Sequence, residues 1–223
     1  MATGDLRTEL AMTAARLIAE EGCEYGQAKR RALQELLGER ADRRTTMPDN
    51  SEVEHELRRY LKLFGGEEHK SLLKARRALA AQLMQTLHEF DPHLTGAVLN
   101  GTATQHSDIH LQLFVDSAKD VELRLIDLAI NFDVDEGAAD ERPVALERLS
   151  FVVSSPKPAS ETRARPTFVG VRLHIFARDA IRVSARHRRA DASDDLHPTE
   201  AAGRANLEAL KRLLTDSEWR NEA

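Results

Sequence analysis

Three side chains with metal-binding chemistry lie close together in the middle of this chain: His106, Asp108 and His110. Asp108 and His110 are two residues apart, a spacing that places both side chains on the same face of a β-strand. Imidazole nitrogens suit Zn²⁺ or Ni²⁺, and His174 is a candidate fourth ligand from a neighbouring strand. The alternative interpretation, which we favour, is that these histidines are solvated or hydrogen-bonded.

These residues lie in what has the layout of a strand–turn–strand corner. Residues 95–99, apolar from Gly96 to Leu99, predict a short strand that leads into Gly101-Thr102. Alternating apolar and polar side chains predict a second strand over residues 109–115, opened by Ser107 and Asp108. An ordinary strand connection, in which Ser107 and Asp108 make turn hydrogen bonds, is the structural alternative.

Periodicity predicts helices before this corner and a mixture of strands and helices after it. Apolar residues at three- and four-residue steps predict helices over residues 5–21, 27–37, 51–64 and 67–90. After the corner we expect helices over residues 118–130 and 199–215, and strands over residues 145–154 and 167–176. The expected fold class is α+β, with an N-terminal helical region followed by a mixed sheet flanked by helices.

The corner resembles the signature of the nucleotidyltransferase superfamily. That signature is a Gly-Ser or Gly-Thr pair, a spacer, and then two acidic residues separated by one position on a strand. Here the resemblance runs through Gly101-Thr102 and Ser107-Asp108-Ile109, and extends more weakly over residues 66–180. It implies a nucleotidyltransferase-like core, for which we predict residues 66–185, with a helical region over residues 1–65 and a polar segment and last helix over residues 186–223.

The resemblance implies a role for each residue of the corner. Gly101 and Thr102 would contact the phosphates of a nucleotide, because backbone N–H groups and small hydroxyls donate without bulk. Ser107, the third predicted cofactor-binding residue, would orient the turn or a single metal ion together with Asp108. Asp108 would be a ligand of Mg²⁺, a hard cation that prefers oxygen. In the superfamily, two such ions activate the attacking oxygen and stabilise the leaving pyrophosphate. Asp108 and His110 are therefore the candidate catalytic residues.

Two departures from the signature put that catalysis in question. His110 stands where the second acid is expected. If residues 171–176 form the strand that carries the third acid, Arg172 or His174 stands in its place. A guanidinium group at short range repels a cation. We therefore expect the usual two-metal transfer to be lost, or to depend on other ligands.

Three functions are compatible with these residues. The first is a nucleotidyltransferase-like protein with a degenerate metal site, which binds a nucleotide or phosphate as a sensor or scaffold. The second is an active nucleotidyltransferase acting on an unknown acceptor, which needs another carboxylate within roughly 4–6 Å of Asp108 to bridge two metal ions. The acidic candidates for that carboxylate are Asp133, Asp135, Glu136 and Glu147. The third is an interaction module without a ligand.

The chain also resembles a group of small uncharacterised bacterial proteins, through residues 14–22, residues 66–69 and the corner. Some of those proteins carry the label UDP-N-acetylmuramate–alanine ligase. Such a ligase needs a glycine-rich ATP loop ending in Gly-Lys-Thr or Gly-Lys-Ser, and this sequence contains no such loop.

The composition indicates which kinds of binding partner and which cellular compartment to expect. A net charge of −5 argues against strong non-specific binding to nucleic acid. The single cysteine, Cys23, cannot form an intramolecular disulfide, which fits a reducing cytosol. No stretch approaches the ~20 apolar residues of a membrane helix, so we expect no membrane partner and a cytoplasmic location. Residues 5–63 are the expected surface for a protein partner or a homodimer.

Overall fold

A computed structural model describes residues 3–38, 45–135, 145–154, 167–183 and 197–221. The chain divides into two units. One is helical and comprises Met1–Leu72 together with Thr102–His106; the other contains the sheet and comprises Leu73–Gly101 together with Ser107–Ala223. The predicted domain limits stay predictions, and the boundary near residue 185 lies outside the described residues.

The helical unit is built from amphipathic helices around a small aliphatic core. Its elements are α1 (Thr3–Glu21), α2 (Tyr25–Leu37), α3 (Asn50–Phe64) and the first residues of α4 (Gly66–Thr86). Side chains at three- and four-residue spacings on α1, such as Leu10, Leu17 and Ala14, are fully buried. Asp49 caps α3 by accepting from two backbone N–H groups, and Glu52 completes a capping box.

The unit with the sheet alternates short helices and strands. Its elements after α4 are β1 (His93–Thr95), α5 (Gly96–Asn100), β2 (Ile109–Val115), α6 (Ala118–Asp127), β3 (Asp133–Val134), β4 (Glu147–Ser154), β5 (Phe168–Ala177), α7 (Pro198–Ala201), β6 (Ala205–Asn206) and α8 (Leu207–Asn221). The strand order is β3-β4-β5-β2-β1-β6. Only β2 and β5 pair in parallel among the described strands.

The predicted α+β class is confirmed. Over the described residues the chain forms eight α-helices, the N-terminal ones first, and a six-stranded mixed sheet flanked by helices. Alternation along β2 separates two faces as expected. Ile109, Leu111 and Leu113 are fully buried on one face, and the polar side chains Asp108, His110 and Gln112 lie on the other.

The structure corrects four predicted elements. The strand predicted over residues 95–99 is wrong: β1 ends at Thr95, and α5 takes up the apolar residues after it. A run of five mostly apolar residues does not distinguish a buried strand from a buried helical turn. Glycines in left-handed conformations, Gly96 (φ 71°) and Gly101 (φ 84°), bracket this turn.

The other corrections concern where helices end. The helix predicted over residues 67–90 ends at Thr86, and a 3-10 turn over His88–Phe90 follows. The helix predicted over residues 118–130 ends at Asp127. The last predicted helix is interrupted, because Gly203 adopts φ 72° between α7 and β6.

Candidate phosphate-binding site

Asp108 lies immediately before β2 and forms an ion pair with Arg172 on the parallel strand β5. The Nε–H of Arg172 donates to Oδ2 of Asp108 at 2.8 Å. The register pairs Ile109 with Val171, so Asp108 lies beside Gly170. A Cβ atom on Gly170 would come within 2.8 Å of Cγ of Asp108. Glycine at this position therefore leaves the space that the carboxylate occupies.

Two histidines form the next layer on the same face of β2 and β5. Nδ1 of His110 lies 3.2 Å from Nε2 of His174, and the rings stack with centroids 5.4 Å apart. One nitrogen of such a pair must donate and the other accept, which two neutral imidazoles satisfy. Burial, together with the charges of Arg148 and Arg172, lowers the pKa of His174 to about 4, against the opposing effect of Asp135. His174 is therefore uncharged at neutral pH.

Arg76 on α4 is a further basic residue whose charge acts on the Asp108 carboxylate. Arg76 is 5% exposed. Burial lowers the pKa of its guanidinium group, and the negative charge of Asp108 opposes that shift only in part. Sequence reasoning did not identify Arg76, because it stands beside Lys74 and Arg77 on a helix, where a run of basic residues is typical of a solvated face.

The charges on this part of the sheet favour an anion over a cation. Arg148 lies beside His174 in the register of β4 and β5, and Asp135 accepts from the Ser150 hydroxyl at 3.0 Å. Three guanidinium groups thus stand near two carboxylates, with a neutral histidine between them. Within the described parts of the chain, no group of three His, Cys, Asp or Glu side chains is placed to hold a metal ion.

Gly101 lies in the same unit as Asp108 but in a different environment. It follows α5, and its N–H donates to the carbonyl oxygen of Ala97. A Cβ on Gly101 would lie 3.4 Å from Oε1 of Glu200 and 3.8 Å from Nη2 of Arg77. Glu200 and Arg77 form an ion pair at 2.6 Å, and Arg77 also donates to the carbonyl oxygen of Leu99 at the end of α5. A helix C-terminus with a carboxylate beside it does not favour a phosphate.

The two other predicted cofactor-binding residues fall on either side of the division between the units. Thr102 belongs to the helical unit and is buried, whereas Ser107 belongs to the unit with the sheet. The cofactor-binding roles of Gly101, Thr102 and Ser107 all stay predictions. His106 belongs to the helical unit, where its backbone N–H donates to Thr104 Oγ1.

The acidic residues considered as further metal ligands have other surroundings. Asp135 is engaged by Ser150, and Asp133 is exposed on β3. Burial raises the pKa of Glu147, and a hydrogen bond with Glu122 raises it further. Glu136 lies outside the described residues.

Comparison with protein-family models, with curated proteins and with solved structures found no match to this chain. Among the helices that the structure describes, none combines the length and the apolar character needed to cross a membrane.

Proposed function

We propose that this chain is a nucleotidyltransferase-like protein with a degenerate metal site, and that it binds a nucleotide or phosphate without a divalent metal, as a sensor or scaffold. One observation carries the proposal: the carboxylate expected to hold Mg²⁺ is instead paired with Arg172 at 2.8 Å. A histidine occupies the position of the second acid.

Coulomb energies explain why these charges favour an anion. At 4 Å two unit charges interact by roughly 1 kcal/mol in water and roughly 4 kcal/mol at an effective dielectric constant of about 20, and Arg172, 46% exposed, lies between these limits. A divalent cation beside Asp108 would be attracted by that one carboxylate, but Arg172 would repel each unit of its charge and Arg76 would add to the repulsion. A phosphate at the same place would be attracted by both guanidinium groups.

Arg172 has the chemistry and the access to bind the phosphate. A guanidinium group presents a planar fork of N–H donors that matches two phosphate oxygens. The side chain of Arg172 is 46% exposed, so a ligand reaches it from solvent. Arg76 is buried and acts through its charge, and His110 lies on the same face of β2 with a nitrogen that donates or accepts according to its tautomer.

Calorimetric titration of ATP, GTP, CTP and UTP, each with and without Mg²⁺, tests the proposal. We expect binding that does not require Mg²⁺ and that Arg172→Ala abolishes. Arg178→Ala is the matched control, because Arg178 follows the same strand and pairs with Asp116 at 3.1 Å. Absence of binding up to about millimolar ligand, about 4 kcal/mol, would contradict the proposal. Binding that requires Mg²⁺ and Asp108 would instead favour an active nucleotidyltransferase.

We also propose that the helical unit provides a surface for a protein partner or a homodimer. Two large apolar side chains at the end of α3 support this: Leu63 is 72% exposed and Phe64 is 70% exposed. Light scattering of the wild type and of Phe64→Ser, over a range of concentrations, tests the homodimer. A monomer at every concentration would contradict it.

The buried, free thiol of Cys23 supports the proposed cytoplasmic location.

A further inference from the structure

The ion pair between Asp108 and Arg172 has a consequence for any anion that binds at Arg172. Asp108 approaches through Oδ2 and already accepts from Nε–H, which is one of the donors that a phosphate oxygen would use. Gly170 provides the space in which this carboxylate lies, since a Cβ at that position would collide with it. The sheet therefore holds a carboxylate of its own against the guanidinium group.

We infer that Asp108 is an internal competitor for the anion site, which an incoming phosphate must displace from Arg172. The inference rests on the proposed function and adds how the site selects its ligand. Asp108 is free to move aside, because its side chain is 29% exposed and lies at the beginning of β2 rather than within it.

The competition also defines the class of ligand. Asp108 carries one negative charge, and its tether to the strand holds it beside Arg172 without the entropic cost that a free anion incurs on binding. A free monoanion such as acetate presents the same group without the tether and does not displace it. A phosphate monoester or a terminal phosphate of a nucleotide carries nearly two charges and three acceptor oxygens. We therefore expect the site to take dianionic phosphates and to exclude carboxylates.

The test compares Asp108→Asn with Asp116→Asn, using ATP, inorganic phosphate and acetate as calorimetric probes without Mg²⁺. Asparagine keeps the shape of Asp108 and removes its charge. We expect Asp108→Asn to bind ATP and inorganic phosphate about tenfold more tightly than wild type, and to admit acetate. Asp116 forms the matching pair with Arg178 at 3.1 Å, and its substitution leaves affinity unchanged.

Gly170→Ala provides an independent variant, because its methyl group displaces the carboxylate without removing it. It is also expected to tighten ATP binding, provided that its thermal unfolding midpoint shows a folded chain. Equal or weaker binding by Asp108→Asn overturns the inference. If wild type binds ATP and loses it with Arg172→Ala, the proposed function stands even when the competition fails. If neither wild type nor Asp108→Asn binds any probe, both are overturned.

Discussion

The parallel strands β2 and β5 carry an aspartate–arginine ion pair at each end. The two pairs have the same residue types but differ in their exposure and in the charges around them. Asp108 and Arg172 meet at 2.8 Å where β2 begins, with side chains 29% and 46% exposed. Asp116 and Arg178 meet at 3.1 Å just after both strands end, with side chains 76% and 68% exposed. The same two residue types thus occupy a partly desolvated site at one end and open solvent at the other.

The charges around each pair have opposite signs. At the first end, Arg76 and Arg148 add positive charge and the adjacent His174 is neutral. The second end borders an open groove of about 410 Å³. The charged residues that line it are Glu89, Asp116, Asp120, Asp127, Arg124 and Arg178. Four carboxylates outnumber two guanidinium groups in that lining, so our proposal places phosphate binding at the first end alone.

The largest expected effect comes from a substitution within β2, the strand that both ends share, because it should destabilise both ends together. Leu111 lies in the middle of β2 and is fully buried. Leu111→Ala removes its contacts and leaves a cavity, so we expect the free energy of unfolding to fall by about 4 kcal/mol. Urea unfolding measures the change. Leu123→Ala is the control, since the exposed Leu123 should cost less than about 0.5 kcal/mol. Similar effects for the two variants would contradict a packed strand pair.

A second prediction uses pH to distinguish the two ends of β2 and β5, because His174 is adjacent to the first ion pair only. The pKa of His174 in the folded chain, about 4, lies below its ordinary value of 6.5. As pH falls from 6.5 to 4, the unfolded chain takes up a proton that the folded chain does not. The free energy of unfolding therefore falls across this window, by up to about 3 kcal/mol at its lower limit, and is unaffected above it.

Unfolding in urea at several pH values tests this, with His174→Asn and the exposed His88→Asn compared. The first variant should flatten the dependence between pH 6.5 and 4, and the second should leave it unchanged. A wild-type curve that is already flat in this window would refute a neutral, buried His174.

The sequence predicted most of the elements, because periodicity reports burial directly. The alternation of Ile109, Leu111 and Leu113 with polar residues was sufficient to assign β2 and its two faces. The same signal failed for residues 96–100, where a run of five residues contains too few positions to separate a period of 2 from 3.6. It also failed at Gly203, whose positive φ interrupts a sequence that otherwise continues as a helix.

The candidate site was predictable only in part. Asp108 and His110 follow from spacing on one strand, and the prediction that Arg172 or His174 faces them depended on a strand pairing that the register now supplies. Arg76 was not predictable, because its proximity to Asp108 depends on how α4 packs, and no local pattern encodes that. Likewise, the need for glycine at position 170 appears only when the adjacent strand delivers a carboxylate.

Gly170→Ala sharpens the comparison by disturbing one end alone. The added methyl group collides with the Asp108 carboxylate, so we expect a loss of about 2 kcal/mol in the free energy of unfolding. Gly26→Ala is the control of opposite sign. Gly26 lies within α2 and has room for a Cβ, so alanine there should stabilise by about 0.5–1 kcal/mol. Destabilisation by both variants would show that the effect is not specific to Asp108.

The smallest expected effect is the most direct comparison of the two ion pairs. Double-mutant cycles with alanine measure the coupling of Asp108 to Arg172 and of Asp116 to Arg178. Exposed pairs contribute little, so we expect below about 0.5 kcal/mol for the second pair and about 1 kcal/mol for the first. Added salt should erase the second coupling and reduce the first only partly, because screening acts mainly on exposed charges. Equal couplings with equal salt dependence would mean that Arg76 and the histidines do not make the first end different, and the case for a phosphate site there would lose its electrostatic basis.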